Sequence, residues 1–198
     1  MGKAIYEDIK SYKITGFDLI PFASVEMISK IEDIDIDKYD LLIDFTNKHI
    51  SSLLIELFLR NKKPVITGTT GHNAAFNLKM SDLATKNEVL FIQKENFAKG
   101  FNSFKSVSEK MTDFSKIEIL ESHHFTKKDV PSGSALVLAD ILKVDYNRII
   151  SLRTNDYKPV HMILMTNENE KIILIHEILD RKAFKEGFLD EFYKIVGD

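Results

Sequence analysis

No cysteine occurs among the 198 residues. Disulfides, thiolate nucleophiles and thiolate metal sites are therefore excluded, and a reducing compartment suits the chain. A dominant charge sign is lacking too: 27 basic and 30 acidic side chains leave a formal net charge of −3, which gives no general case for nucleic acid or an acidic membrane surface as partner. No apolar run approaches the roughly 20 residues that a transmembrane helix needs. The opening residues, Met1-Gly2-Lys3-Ala4-Ile5-Tyr6-Glu7-Asp8, lack the apolar core of a signal peptide. The expectation is a soluble, cytoplasmic protein with no nucleic-acid or membrane partner. No linker rich in glycine, proline or serine divides the chain, and no internal repeat or low-complexity segment is found.

What is present is enough apolar material, 44% of the residues, to build a core. Residues 2–11 read as a short helix and 12–18 as a strand ending in the acidic Asp18. The acid-rich stretch 34–40 leads to Leu41-Leu42-Ile43-Asp44-Phe45, a strand without alternation, as expected when both sheet faces are covered. Helical periodicity at 50–61, a strand at 64–67, a helix at 74–87 and a strand at 89–92 continue an alternation that argues for parallel βαβ units. The pattern changes after Asn96. A helix near 101–114 precedes a strand at 116–121, a polar loop at 122–132 and a helix at 133–142. Strand-like runs at 149–153, 160–165 and 171–175, joined by tight turns such as Asn167-Glu168-Asn169, suggest an antiparallel face before a last helix at about 182–195. The chain reads as α/β: a doubly wound parallel domain, 1–95, then an α+β domain, 96–181, with the final segment 182–198 packing back on the first.

The segment richest in chemistry is Glu121-Ser122-His123-His124-Phe125-Thr126-Lys127-Lys128-Asp129-Val130-Pro131-Ser132-Gly133-Ser134-Ala135. Histidine transfers protons near neutral pH, and lysine brings a point charge for a carboxylate or a proton for a developing anion. Ser132-Gly133-Ser134 opens a helix whose free N–H groups and dipole favour an anion. Together they suit a small polycarboxylate substrate. The plainer reading has solvated loop histidines and Ser132 as an ordinary N-cap. No metal site is expected, since adjacent histidines rarely point the same way and no carboxylate stands at HExxH spacing.

This segment resembles the signature of the dihydrodipicolinate reductases, E-x-H-H-x-x-K-x-D-x-P-S-G-T-A, with Ser134 in place of the threonine. Further likeness runs along the chain. Ile43-Asp44-Phe45-Thr46 is similar to the family's strand end near the nicotinamide, Gly68-Thr69-Thr70-Gly71 to its G-T-T-G turn, and Asn96-Phe97-Ala98-Lys99-Gly100 to its crossover. His176, Arg181, Phe184 and Gly187 keep the spacing of the family's H-x-x-x-S-R-x-x-F-x-x-G, with Asp180 replacing its serine, and Lys48 stands where many members have proline.

The resemblance implies a Rossmann-like nucleotide domain, reduction of an unsaturated cyclic imine dicarboxylate by NADH or NADPH in lysine and diaminopimelate biosynthesis, and a homotetramer. It implies His123 and Lys127 as acid/base and proton-donating groups, without deciding which delivers the proton. His124, Ser132, Gly133 and Ser134 would hold a substrate carboxylate. Gly2, Asp18, Phe45, Thr46, Gly68, Thr69, Thr70, Asn96 and Phe97 would hold the cofactor. Asp18 faces the adenosine ribose in such a scheme and favours NADH, because a carboxylate repels a 2′-phosphate; a plain surface-turn aspartate is the alternative.

The family's glycine turn is broken here. Met1-Gly2-Lys3-Ala4 resembles the tail of a G-R-M-G-type fingerprint, with Gly2 as its last glycine and no strand or turn before it. Either the start has been assigned at an internal methionine, or the chain is shortened and binds a small dicarboxylate without turnover. Reduction of another small anion is the remaining alternative.

Overall fold

The computed structural model describes residues 2–18, 20, 22, 25–111, 114–127, 129–156 and 158–197. By internal contacts the chain divides into two compact units, 1–94 with 189–198, and 95–188.

The first unit opens with helix α1 (Gly2–Ile9), which buries Ile5 and Ile9 at i and i+4. Within each of its ladders the strands run parallel. β1 (Thr15–Phe17) pairs with β2 (Glu26–Ile28), and β3 (Leu42–Asp44), β4 (Val65–Thr67) and β5 (Phe91–Gln93) form a second ladder in the order β3-β4-β5. Among the described residues no ladder joins the two. β2 lies in a stretch where the sequence suggested no strand. A single-turn 3-10 helix at Ile31–Asp33 precedes the acid-rich stretch, and a second, at Ile36–Lys38, lies within it.

Parallel neighbours need a crossover, and helices α2 (Lys48–Arg60) and α3 (Ala74–Asn87) supply it. Each begins on an asparagine N-cap: the Asn47 side chain accepts from the His49 and Ile50 amides, and that of Asn73 from Phe76. On the buried side of α2, Ile55, Phe58 and Leu59 pack with Val65 of β4 and with Met80 and Ala84 of α3. β4 is buried at all three positions, apolar at Val65 and Ile66 and with the Thr67 hydroxyl satisfied by Asp44, which accounts for the lack of apolar-polar alternation in its sequence.

The second unit is a four-stranded sheet in the order β7-β6-β8-β9, with helices α4 (Lys99–Ser108) and α5 (Gly133–Leu142). β6 (Lys116–His124) and β7 (Ile149–Thr154) run parallel. β8 (Val160–Thr166) is antiparallel to β6, and β9 (Lys171–Glu177) to β8. The sheet is therefore mixed: the tight turn at Asn167-Glu168-Asn169 joins antiparallel strands as expected, whereas the β6-to-β7 connection passes through α5, a crossover that makes that one pair parallel. β6 also runs three residues past the expected end at 121, so both histidines stand on a strand and not in a loop.

One face of this sheet is covered. Ile119, Ile163 and Met165 pack there with Phe101, Phe104, Leu138, Ala139 and Leu142 of the two helices. The opposite face leaves Ile150, Leu152, Ile173 and Ile175 exposed. Helix α6 (Lys182–Val196) closes the chain, its residues from Leu189 onward belonging to the first unit.

Candidate active site

The pleat of β6 sorts its signature residues, because alternate side chains share a face. Glu121 and His123 share the covered face with Ile119. His124 alternates to the other face, where its Nδ1 lies 2.8 Å from the Thr126 hydroxyl and its ring lies 4.2 Å from that of Phe125.

Glu121 is completely buried, so the cost of removing its charge from water must be met by donors. They are present. Oε2 lies 3.0 Å from His123 Nε2, the Ser132 amide donates to both carboxylate oxygens at 3.0 and 3.2 Å, and the Ser151 hydroxyl donates to Oε1 at 2.8 Å. Arg153 adds a guanidinium 3.4 Å from Oε1. Burial by itself raises the pKa of this carboxyl. Hydrogen bonds from His123, Ser132 and Ser151 outweigh that and hold it well below the usual carboxylate range. Glu121 is thus a fixed anion that orients His123.

Arg153 also donates to the carbonyls of Lys127 and Asp129, which ties the loop after β6 to β7. On that loop Lys127 Nζ pairs with Asp129 Oδ2 at 2.8 Å, in an exposed contact. Such pairs contribute at most about 1 kcal/mol, so little free energy holds the lysine away from a substrate. Lys128 lies outside the described residues.

Ser132 is the N-cap of α5: its hydroxyl accepts from the Ala135 amide at 3.2 Å while its own amide serves Glu121. The same residue therefore starts the helix and holds the buried acid. Gly133 and Ser134 occupy the first helical turn, where backbone N–H groups have no intrahelical acceptor. The Ser134 hydroxyl accepts from Asn96 Nδ2 at 3.3 Å, and Asn96 Oδ1 takes the Ala98 amide. Phe97 is buried, edge-on to Phe188 at 5.7 Å. Asn96 and Phe97, expected at the cofactor, belong to the second unit, Asn96 turned to Ser134 and Phe97 to the core.

In the first unit, Phe45, Thr46, Gly68, Thr69 and Thr70 gather at the C-terminal ends of neighbouring β3 and β4. Ligands bind at that end of parallel sheets. Asp44 organises them. It is fully buried and accepts from Ser51, Thr46 and Thr67 at 2.5–2.6 Å, while its carbonyl takes the Gly68 amide. Burial alone raises its pKa, but these hydrogen bonds and the Thr46 amide prevail and lower it. His72 lies 3.0 Å from the Ser51 hydroxyl, and burial lowers its pKa.

Thr69 has a buried hydroxyl with no hydrogen-bond partner among the described residues, and Gly71 takes a left-handed φ of 92° that disfavours a side chain. A buried polar atom at a strand end beside a glycine turn fits a nucleotide. Asp18 stands exposed at the end of β1, its carboxylate accepting from the Ile20 amide. At Gly2 an added Cβ would meet nothing within 4 Å, so packing does not demand glycine there.

Glu121, Ser151 and Arg153 were not singled out from the sequence. Glu121 stands within the quoted motif, and its i, i+2 spacing from His123 was the available signal. The other two come from β7, a strand remote in sequence.

Residues 2–97 match the family profile described as dihydrodipicolinate reductase, N-terminus, and residues 100–197 match dihydrodipicolinate reductase, C-terminus. Among curated proteins, the chain is 35% identical to the 4-hydroxy-tetrahydrodipicolinate reductase of a Nitratiruptor species, over 88% of this chain and 77% of the relative. It is 30% identical to that of Rickettsia bellii, over 94% and 81%, and 29% identical to that of Methanocaldococcus jannaschii, over 86% and 70%. Among solved structures, a dipicolinate-bound dihydrodipicolinate reductase from a Paenisporosarcina species superposes with a TM-score of 0.67 at 24% identity, over 89% of this chain and 77% of that one. An aspartate dehydrogenase from Thermotoga maritima shares the fold alone, with a TM-score of 0.62 at 10% identity over 100% and 92%. Matched in both halves, the chain belongs to the dihydrodipicolinate reductase family.

Proposed function

We propose that this NAD(P)H-dependent oxidoreductase converts 4-hydroxy-tetrahydrodipicolinate, which gives dihydrodipicolinate by loss of water, to tetrahydrodipicolinate in lysine and diaminopimelate biosynthesis. The observation that carries the reading is the Glu121 cage. One buried carboxylate joins His123, the N-cap of α5 and Arg153, which supports reading His123 as an acid/base group beside a helix start suited to a carboxylate.

Reduction of the ring needs a hydride and a proton. When bound, a nicotinamide would supply the hydride. The amides of Gly133 and Ser134, the Ser134 hydroxyl and His124 hold a substrate carboxylate, with the dipole of α5 favouring the negative charge. Lys127 supplies the proton to the ring, and His123, oriented by Glu121, serves as the acid/base partner. Phe45, Thr46, Gly68, Thr69 and Thr70 hold the cofactor in the first unit, and the exposed Asp18 carboxylate tips the choice toward NADH. The second unit, 95–188, is the substrate and assembly domain. Its open sheet face, with Ile150 and Leu152 of β7 and Ile173 and Ile175 of β9 exposed on the two outer strands, is the face on which copies join as a homotetramer. A cysteine-free chain using a nicotinamide cofactor suits the cytoplasm.

The test is NADH oxidation in the presence of the condensation product of pyruvate and aspartate semialdehyde. Lys127→Ala, which removes only an exposed ion pair, should keep the fold and lower turnover by about 10²-fold or more. Near-normal turnover in that variant would remove Lys127 from the mechanism.

A further inference from the structure

The most anomalous polar group in the second unit is His161. Its side chain is 1% exposed, and neither ring nitrogen has a hydrogen-bond partner among the described residues. Buried imidazoles are normally satisfied, so two orphaned nitrogens mark a place where something else binds.

The sheet register shows what faces it. Glu121 on β6 lies directly opposite His161 on β8. His123 is two residues along β6 from Glu121, so all three project from one face. Their ligand atoms, one from each residue, lie within 4.8 Å of one another. The rings of His123 and His161 meet edge to face at 5.3 Å.

We propose that Glu121 Oε2, His123 Nε2 and one nitrogen of His161 form a three-ligand site for a divalent transition metal of the zinc class. Two imidazoles and a carboxylate are a donor set for zinc or cobalt, and it is too rich in nitrogen for magnesium or calcium. The ligands sit on adjacent strands, which fixes their spacing. Ser151 and Arg153 hold Oε1, while Oε2 faces His123 and also accepts from the Ser132 amide at 3.2 Å, so the carboxylate is fixed in orientation. Arg153 offsets the carboxylate charge, so the site is weaker than one with an uncompensated acid. Adjacent His123 and His124 do not form it. The set arises from i, i+2 spacing and a cross-strand neighbour.

Metal occupancy takes both atoms through which Glu121 orients His123, so the bound form should be a slow reductase. That consequence rests on the proposed function; binding itself does not. The experiment titrates metal-free protein with Co²⁺ and Zn²⁺, reading visible cobalt bands and calorimetric heat, with NADH oxidation followed in parallel. The expected result is one Co²⁺ per chain with visible bands, displaced by Zn²⁺ and not by Mg²⁺. His161→Leu and, as a second variant in case the first repacks, His161→Gln should each weaken binding at least about tenfold while metal-free turnover is retained. Absence of saturable cobalt binding overturns the site, as does binding undiminished in both folded variants. If binding follows this pattern but no NADH oxidation is seen in any form, the site stands and the reductase reading falls.

Discussion

Replacing Gly187 with alanine sets two known effects against each other. In a helix interior such a change normally stabilises by about 0.5–1 kcal/mol, because alanine has the higher helix propensity. Gly187 lies within α6, and an added Cβ would stand 1.8 Å from the Phe97 carbonyl oxygen and 2.8 Å from its carbon. Unbonded carbon atoms settle at about 3.5–4.0 Å, so the helix would have to retreat by more than an ångström. Backbone presses on backbone here, so no rotamer change relieves the clash. The retreat would also loosen Phe188 from Phe97. Overpacking costs of about 1–3 kcal/mol or more outweigh the propensity gain. We expect Gly187→Ala to lose about 2 kcal/mol, a fall in Tm of roughly 4–8 °C for a chain of this size. Gly100→Ala is the control: its Cβ would meet the far end of His176 at 3.4 Å, and it should be near neutral. Circular-dichroism melts of the three proteins decide the matter. A Tm for Gly187→Ala at or above wild type would refute the close approach of α6 to residue 97.

Asp44 has its folded pKa held low, so its contribution to stability is complete above the unfolded value and lost as pH falls through it and then through the folded one. Thermal melts should show this loss below about pH 4; Asp44→Asn should be less stable at pH 7 and flatter across the acid range, and an unchanged acid slope would exclude Asp44 as its source. Ser132→Ala removes the N-cap hydroxyl of α5 and should cost about 1 kcal/mol in urea unfolding, with no loss counting against the cap.

The elements legible in the sequence are those with strong local signals. α3 and α5 fall at 74–87 and 133–142 as read, because an asparagine and a serine cap them and left-handed residues, Glu88 and Lys143, end them. The βαβ alternation was legible for the same reason. β2 was not, since three residues at Glu26–Ile28 carry no periodicity and are held by pairing with β1. The strand end was misplaced because Ser122, His123 and His124 look like a polar loop, whereas the partner strands β7 and β8 extend β6 through them.

The candidate site divides along the same line. The linear signature contains His123, Lys127 and the start of α5, since their spacing is local and a family resemblance reads spacing. It cannot contain what reaches Glu121 from elsewhere: Ser151 and Arg153 on β7, 30 and 32 residues away, and His161 on β8. Composition and motif by themselves determined the fold class, the family and the acid/base candidates. Only the tertiary structure decided that a buried glutamate ties them together, because strand register, a non-local property, sets which side chains from three strands share one face of the sheet.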